Sequence, residues 1–265
     1  MSFSSLMSSI TPAATAGDWQ VTVGEEWAQG RTLFGGLQAA LAFEALQTEV
    51  PPEFPLRVLQ VTFAAPVPPG AARIQSRILR RGGSAIHGEA RLLGPDDATL
   101  CLVVAVFGKA RTSGFQLQPE MPPCAAPEAS NRFPYLEGIT PVFTRQFRMA
   151  WAEGAFPFMG GHAPTTRIWI AHKDPAPPTL SHLIATADVV PSPALSTMKQ
   201  VAMASSMTWT LEILDHDLDF AADAWWRQDT DVTAGGNGYL HQTGTVYNPA
   251  GRAAAYSRQS VVVFG

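Results

Sequence analysis

Three side chains are of types that can handle water and protons: Asp188 in "IATADVV", Ser206 in "SSMTWTLEI" and Gln259 in "YSRQSVVVF". A carboxylate can take a proton from water, an amide and a hydroxyl can hold that water, and backbone N–H groups can carry a developing oxyanion. Each residue also has a plainer reading. Most aspartates face solvent. Asp188, however, ends a helical pattern, where a carboxylate is electrostatically unfavourable, and that misplacement favours a chemical role. Gln259 shares a strand face with Ser257, Val261 and Val263, so it is partly buried or at a sheet end. A buried amide must be hydrogen-bonded, here to a backbone group or to a water. Ser206 falls in one alternation with Thr208, Thr210 and Glu212, opposite Met207, Trp209, Leu211 and Ile213. That face is solvated unless the chain folds so that it lines a crevice. Gly35 and Gly36 place N–H groups at a helix start, which suits an anion or a polarised oxygen, and equally suits close backbone packing.

Other chemistries lack their residues. The six histidines have no metal-ligand spacing, and no metal or cofactor is expected. Neither a nucleophile-elbow serine, a phosphate-binding loop nor a dinucleotide fingerprint is present. The net charge of −4 argues against a nucleic-acid partner. Cys101 and Cys124 are too few for a disulfide framework, and Cys101 in "TLCLVVAVF" reads as a core residue. The start, "MSFSSLMSSITPAATAGDW", has no basic opening or sustained apolar region, so no secretion signal is expected. No window approaches the ~20 apolar residues of a membrane span. These features imply a soluble, cytoplasmic protein.

The elements that must position the candidates follow from periodicity. From Gln38 to Leu46 only Glu44 is charged, so "LFGGLQAALAFEAL" predicts a helix buried on all sides. A shorter helix is expected in "PPTLSHLIATAD", with Leu180, Leu183, Ile184 and Ala187 on one face and prolines at its start. Alternating or β-branched runs such as "RVLQVTFAAP", "ARIQSRILR" and "AWWRQDTDVT" predict strands. Two stretches repeat: Gly82–Gly108 and Gly235–Gly265 each run Gly-Gly, strand, Pro-containing turn, then a strand ending Val-Phe-Gly. Residues 113–134 carry five prolines and neither Val nor Ile, and read as a linker. The expected organisation is a first unit over 1–112, the linker, and a second unit over 135–265. Each is an α+β unit in which an antiparallel sheet curls around one helix.

The order "LFGGLQAALAFEAL", "RRGGSAIHGEARL", then an Asp after a second-half helix, a hydroxyl strand and a Gln in the closing strand resembles the double-hotdog acyl-CoA thioesterases of the thioesterase II (TesB-like) type. The resemblance spans nearly the whole chain. It implies hydrolysis of acyl-CoA thioesters without a cofactor, by an Asp, a Ser or Thr, and a Gln that hold the water. Carried over, these are Asp188, Ser206 with Thr208 as the alternative hydroxyl, and Gln259. Gly35, Gly36 and Thr208 fall on the substrate side. It further implies a role in lipid metabolism, acyl-CoA as the small-molecule partner and a possible homo-oligomer. The sequence departs from the family where Thr208 and Trp209 replace an acidic/His pair and where Ser260 follows Gln259. A non-catalytic acyl-CoA or fatty-acid binder on the same fold stays open. So does a hydratase using His182 with Asp188.

Overall fold

The computed structural model describes residues 1–264. Eleven longer strands form: β1 (Asp18–Val23), β2 (Leu56–Phe63), β3 (Gly70–Arg81), β4 (Ala85–Leu93), β5 (Thr99–Gly108), β6 (Phe147–Glu153), β7 (Thr165–His172), β8 (Met203–Ile213), β9 (Trp226–Gly236), β10 (Tyr239–Tyr247) and β11 (Ala253–Phe264). With a two-residue strand at each edge they make one thirteen-stranded sheet, in the order β1-β3-β4-β5-β2-β8-β11-β10-β9-β7-β6. Every pairing is antiparallel. The order β1-β3-β4-β5-β2 recurs as β7-β9-β10-β11-β8, with β6 added outside. The sequence repeats fall on the β4–β5 and β10–β11 hairpins, at equivalent places in the two orders. The two blocks of strands meet where β2 pairs with β8, Val61 opposite Trp209 and Leu59 opposite Leu211.

The described residues form four α-helices: α1 (Phe3–Ser8), α2 (Gly35–Gln47), α3 (Leu180–Thr186) and α4 (Ala194–Thr197). In α2, Leu37, Ala39, Ala40, Leu41, Ala42, Ala45 and Leu46 are all fully buried, as an almost uncharged helix requires. It packs against β3, β4 and β5, and against α3. The capping box of α3 joins Thr179 and His182: each side chain meets the other residue's backbone N–H. α1 was not indicated by the pattern. It is short, held by the Ser2 hydroxyl accepting from the Ser5 N–H, and it seats Phe3 against His172 and His182.

One expectation about strand faces fails. The β8–β11 register shifts between Ser206 and Thr208, a bulge at Met207. Two residues there oppose one, so the alternation changes phase. Thr208 is exposed while Trp209, Leu211 and Ile213 face the core. Ser206 is turned to the same side as Trp209, not to the outer side of Thr208 and Thr210.

Candidate active site

The start of α2 and the end of α3 meet at two glycines. A Cβ on Gly36 would lie 2.9 Å from the Ala185 carbonyl oxygen and 2.6 Å from the Phe34 ring. A Cβ on Gly35 would lie 2.7 Å from Asp188 Oδ2 and 3.1 Å from the Phe63 ring. Only residues without a Cβ let the two helices approach this closely. The contact carries Asp188 past the end of α3 and sets its carboxylate on the N-terminus of α2, where the Gly36 N–H favours its charged form. This corrects the expectation of a carboxylate stranded at a helix C-terminus. The helix it faces is α2, whose positive end favours an anion. The Gly35 N–H has no backbone partner among the described hydrogen bonds.

Gln259 and Asp188 are 71 positions apart in the chain, and Gln259 Nε2 donates to Asp188 Oδ1 at 2.5 Å. Ser206 Oγ donates to Gln259 Oε1 over a long 3.4 Å, because the bulge brings its hydroxyl onto the face that carries Gln259. Asp188, Gln259 and Ser206 thus form one connected cluster. Thr208 lies outside it: it is exposed and paired with Ser260 and Thr62. The face is ordered further by Trp209 Nε1 donating to Ser257 Oγ at 2.9 Å.

Asp188 is enclosed by protein on most sides, with a minor part of its surface open. Burial pushes its carboxyl up to about 7, against the lowering by the Gln259 amide and the Gly36 N–H. Among the described residues no charged side chain acts on it. A carboxyl poised near neutral pH suits general-base work.

Two buried glutamines escaped the sequence reading. Gln228 Nε2 donates to the Ala187 carbonyl at 3.2 Å, fixing the residue before Asp188. Gln242 Nε2 donates to Gln259 Oε1 at 2.8 Å. Their signal was available, since each is a glutamine on the apolar face of an alternating strand, as Gln259 is. His182 is not part of the cluster. It lies 3.5 Å from Asp174, and its Nδ1 accepts from the Thr179 N–H. No His therefore accompanies Asp188, as a hydratase would need. Two surface cavities, of about 450 and 580 Å³, lie elsewhere, one beside Phe3 and Asp174, the other beside Arg145 and Arg148. Among the described residues no group of His, Cys, Asp and Glu could hold a metal, and no helix is long and apolar enough to cross a membrane.

Family models for the acyl-CoA thioesterase N-terminal and C-terminal domains match residues 23–108 and 120–263. The chain belongs to the acyl-CoA thioesterase family. Its reaction is the hydrolysis of acyl-CoA thioesters to free acid and coenzyme A. The solved structures agree in fold. A protein of unknown function with hot dog fold from Alicyclobacillus acidocaldarius is 22% identical with TM-score 0.85, over 98% of this chain and 97% of that one. The acyl-CoA thioesterase II TesB2 of Mycobacterium marinum is 16% identical with TM-score 0.77, over 97% and 96%. A tesB protein of Mycobacterium avium is 14% identical with TM-score 0.79, over the whole of both chains. The thioesterase is thus an α+β double hotdog. No curated protein matches its sequence.

Proposed function

We propose that Asp188 is the general base of the thioesterase and that Gln259 and Ser206 hold the attacking water beside it. The carboxylate takes a proton from the water as its oxygen bonds to the thioester carbonyl carbon. The tetrahedral oxyanion collapses, the C–S bond breaks, and the proton passes from Asp188 to the departing sulfur. The Gly35 N–H at the positive end of α2 is the donor for the carbonyl oxygen, with Gly36 holding the base rather than the substrate. The observation that carries the assignment is the single hydrogen-bonded cluster of Asp188, Gln259 and Ser206, built around a carboxyl raised to about 7.

We infer two hotdog units, over residues 1–112 and 135–265 with 113–134 as the connecting strap, from the recurring strand order. The free thiols Cys101 and Cys124 fit a reducing compartment such as the cytoplasm. Homo-oligomerisation is an expectation carried by the resemblance alone. The experiment for the base is steady-state hydrolysis of a panel of acyl-CoA thioesters, with thiol detection, by the wild type and Asp188→Asn. A loss of about 10²–10⁴-fold in turnover is expected. Wild-type turnover in the variant would remove Asp188 from the mechanism. Binding without turnover by the wild type would instead favour a carrier on this scaffold.

A further inference from the structure

Along β10, Leu240, Gln242, Gly244 and Val246 are buried in alternation. Gln242 is 6% exposed and stands directly opposite Gln259 in the β10–β11 pairing. Its Nε2 donates to Gln259 Oε1 at 2.8 Å, while its own Oε1 has no donor among the described residues. A buried acceptor left without a partner is destabilising, and an apolar side chain of similar size would avoid that cost. What the residue contributes is its donor.

The Gln259 amide has two possible orientations. In the one observed, Nε2 meets Asp188 at 2.5 Å. Reversed, Oε1 would face the carboxylate. Two acceptors would then lie at hydrogen-bond distance with no proton between them, unless Asp188 were itself protonated. We propose that Gln242 is a positioning residue for thioester hydrolysis: its donor fixes the Gln259 amide with Nε2 toward Asp188 and so keeps that carboxylate in its proton-accepting form. The proposal rests on the roles given above to Asp188 and Gln259. Without Gln242 only the long 3.4 Å contact from Ser206 Oγ holds Oε1, so the amide can turn and a protonated Asp188 can donate to Oε1. The base is then lost at pH values where the wild type still has it.

The pH profile reads this effect with little interference. Asp188 faces the Gly36 N–H from α2 and Gln259 from β11, and no charged side chain among the described residues acts on it. The ionisable neighbour of Gln242 in sequence, His241, is exposed on the opposite face of β10, where it meets Ser260 at 3.0 Å.

The test is steady-state acyl-CoA hydrolysis from about pH 5.5 to 9 by Gln242→Leu and Gln242→Met, with thermal melts. The loss of one hydrogen bond predicts a fall in kcat of about fivefold to tenfold at neutral pH, with KM unchanged. The loss should shrink in alkali as the profile moves to higher pH. Melting temperatures should hold or rise, since the unpartnered acceptor is gone. Gln242→Glu should be more severe, because a carboxylate there accepts from Gln259 Nε2 and turns the amide round. In a Gln259→Ala background, Gln242→Leu should add nothing. Wild-type kcat and pH profile in both apolar variants would overturn the proposal, as would an undiminished loss in the Gln259→Ala background. Should Gln242→Leu fail to fold, Gln242→Met, with an unbranched chain of nearly the same shape, decides the matter. Wild-type turnover in Gln259→Ala alone would refute the site assignment itself, and with it this role, a result distinct from failure at Gln242 only.

Discussion

The raised carboxyl of Asp188 couples activity and stability to pH in opposite senses. Its pKa moves from 3.8 to about 7 on folding, chiefly through burial. Between those values the native protein holds a proton that the unfolded chain has released, so native stability falls as pH rises through this window. That difference corresponds to about 4 kcal/mol as a ceiling, less for the part of the side chain that solvent reaches. Activity runs the other way: kcat/KM should rise with a midpoint near 7, and at pH 6 should stand at about one-tenth of its plateau. Asp188→Asn removes the titration. Its stability relative to the wild type should improve from about pH 4 to pH 8, by about 2–4 kcal/mol, while its residual rate stays flat with pH. Urea unfolding of both proteins at the two pH values measures the first quantity, and pH–rate profiles the second. The other titrating groups, His172, His182 and Asp229 among them, are common to both proteins and cancel in the difference. A pH-independent stability difference, or a wild-type rate flat across neutrality, would refute the reasoning.

Three further outcomes are expected. Gly35→Ala puts a Cβ 2.7 Å from Asp188 Oδ2, so turnover should fall at least tenfold while the fold, read by circular dichroism, is kept; unchanged turnover would mean that the carboxylate is not held where it acts. Ser206→Ala, which breaks only a 3.4 Å contact, should cost less in kcat than Gln259→Ala, which frees Asp188 from its 2.5 Å partner; the reverse order would make the hydroxyl the principal water ligand. Burial raises the Cys101 thiol to about 12, so a thiol reagent should titrate one thiol, that of half-buried Cys124, in the native protein and two after denaturation; rapid native labelling of both would show that the β5 core opens.

Much of this arrangement was legible in the residues. α2 was readable because a helix with one charge in its middle can only be buried. Asp188 and Gln259 were readable because a carboxylate at a helix end and an amide among valines both violate local preference. What escaped was set by tertiary contact. The bulge at Met207 has no Gly or Pro to mark it, so Ser206 and Thr208 fell on one face when read by simple alternation. The direction of Asp188 depends on how closely Gly36 lets α2 approach Ala185, a distance that no local pattern carries. Burial, not a helix C-terminus, makes its charge costly. Gln242 was overlooked although "YLHQTGTV" shows the same alternation that exposed Gln259.

The pairing of β2 with β8 makes the molecule its own partner. The base and its amide come from the later part of the chain, while the helix end that receives the carboxylate comes from the earlier part. The proposed active centre is thus the product of a docking event inside one polypeptide, with the chain between β5 and β6 keeping the effective concentration of one part for the other high. Two fragments split between β5 and β6 should be inactive apart and regain activity in proportion to their association. A variant that weakens the β2–β8 seam, at Val61 or Leu59, should lose hydrolysis through lost assembly, without touching any group that handles the thioester.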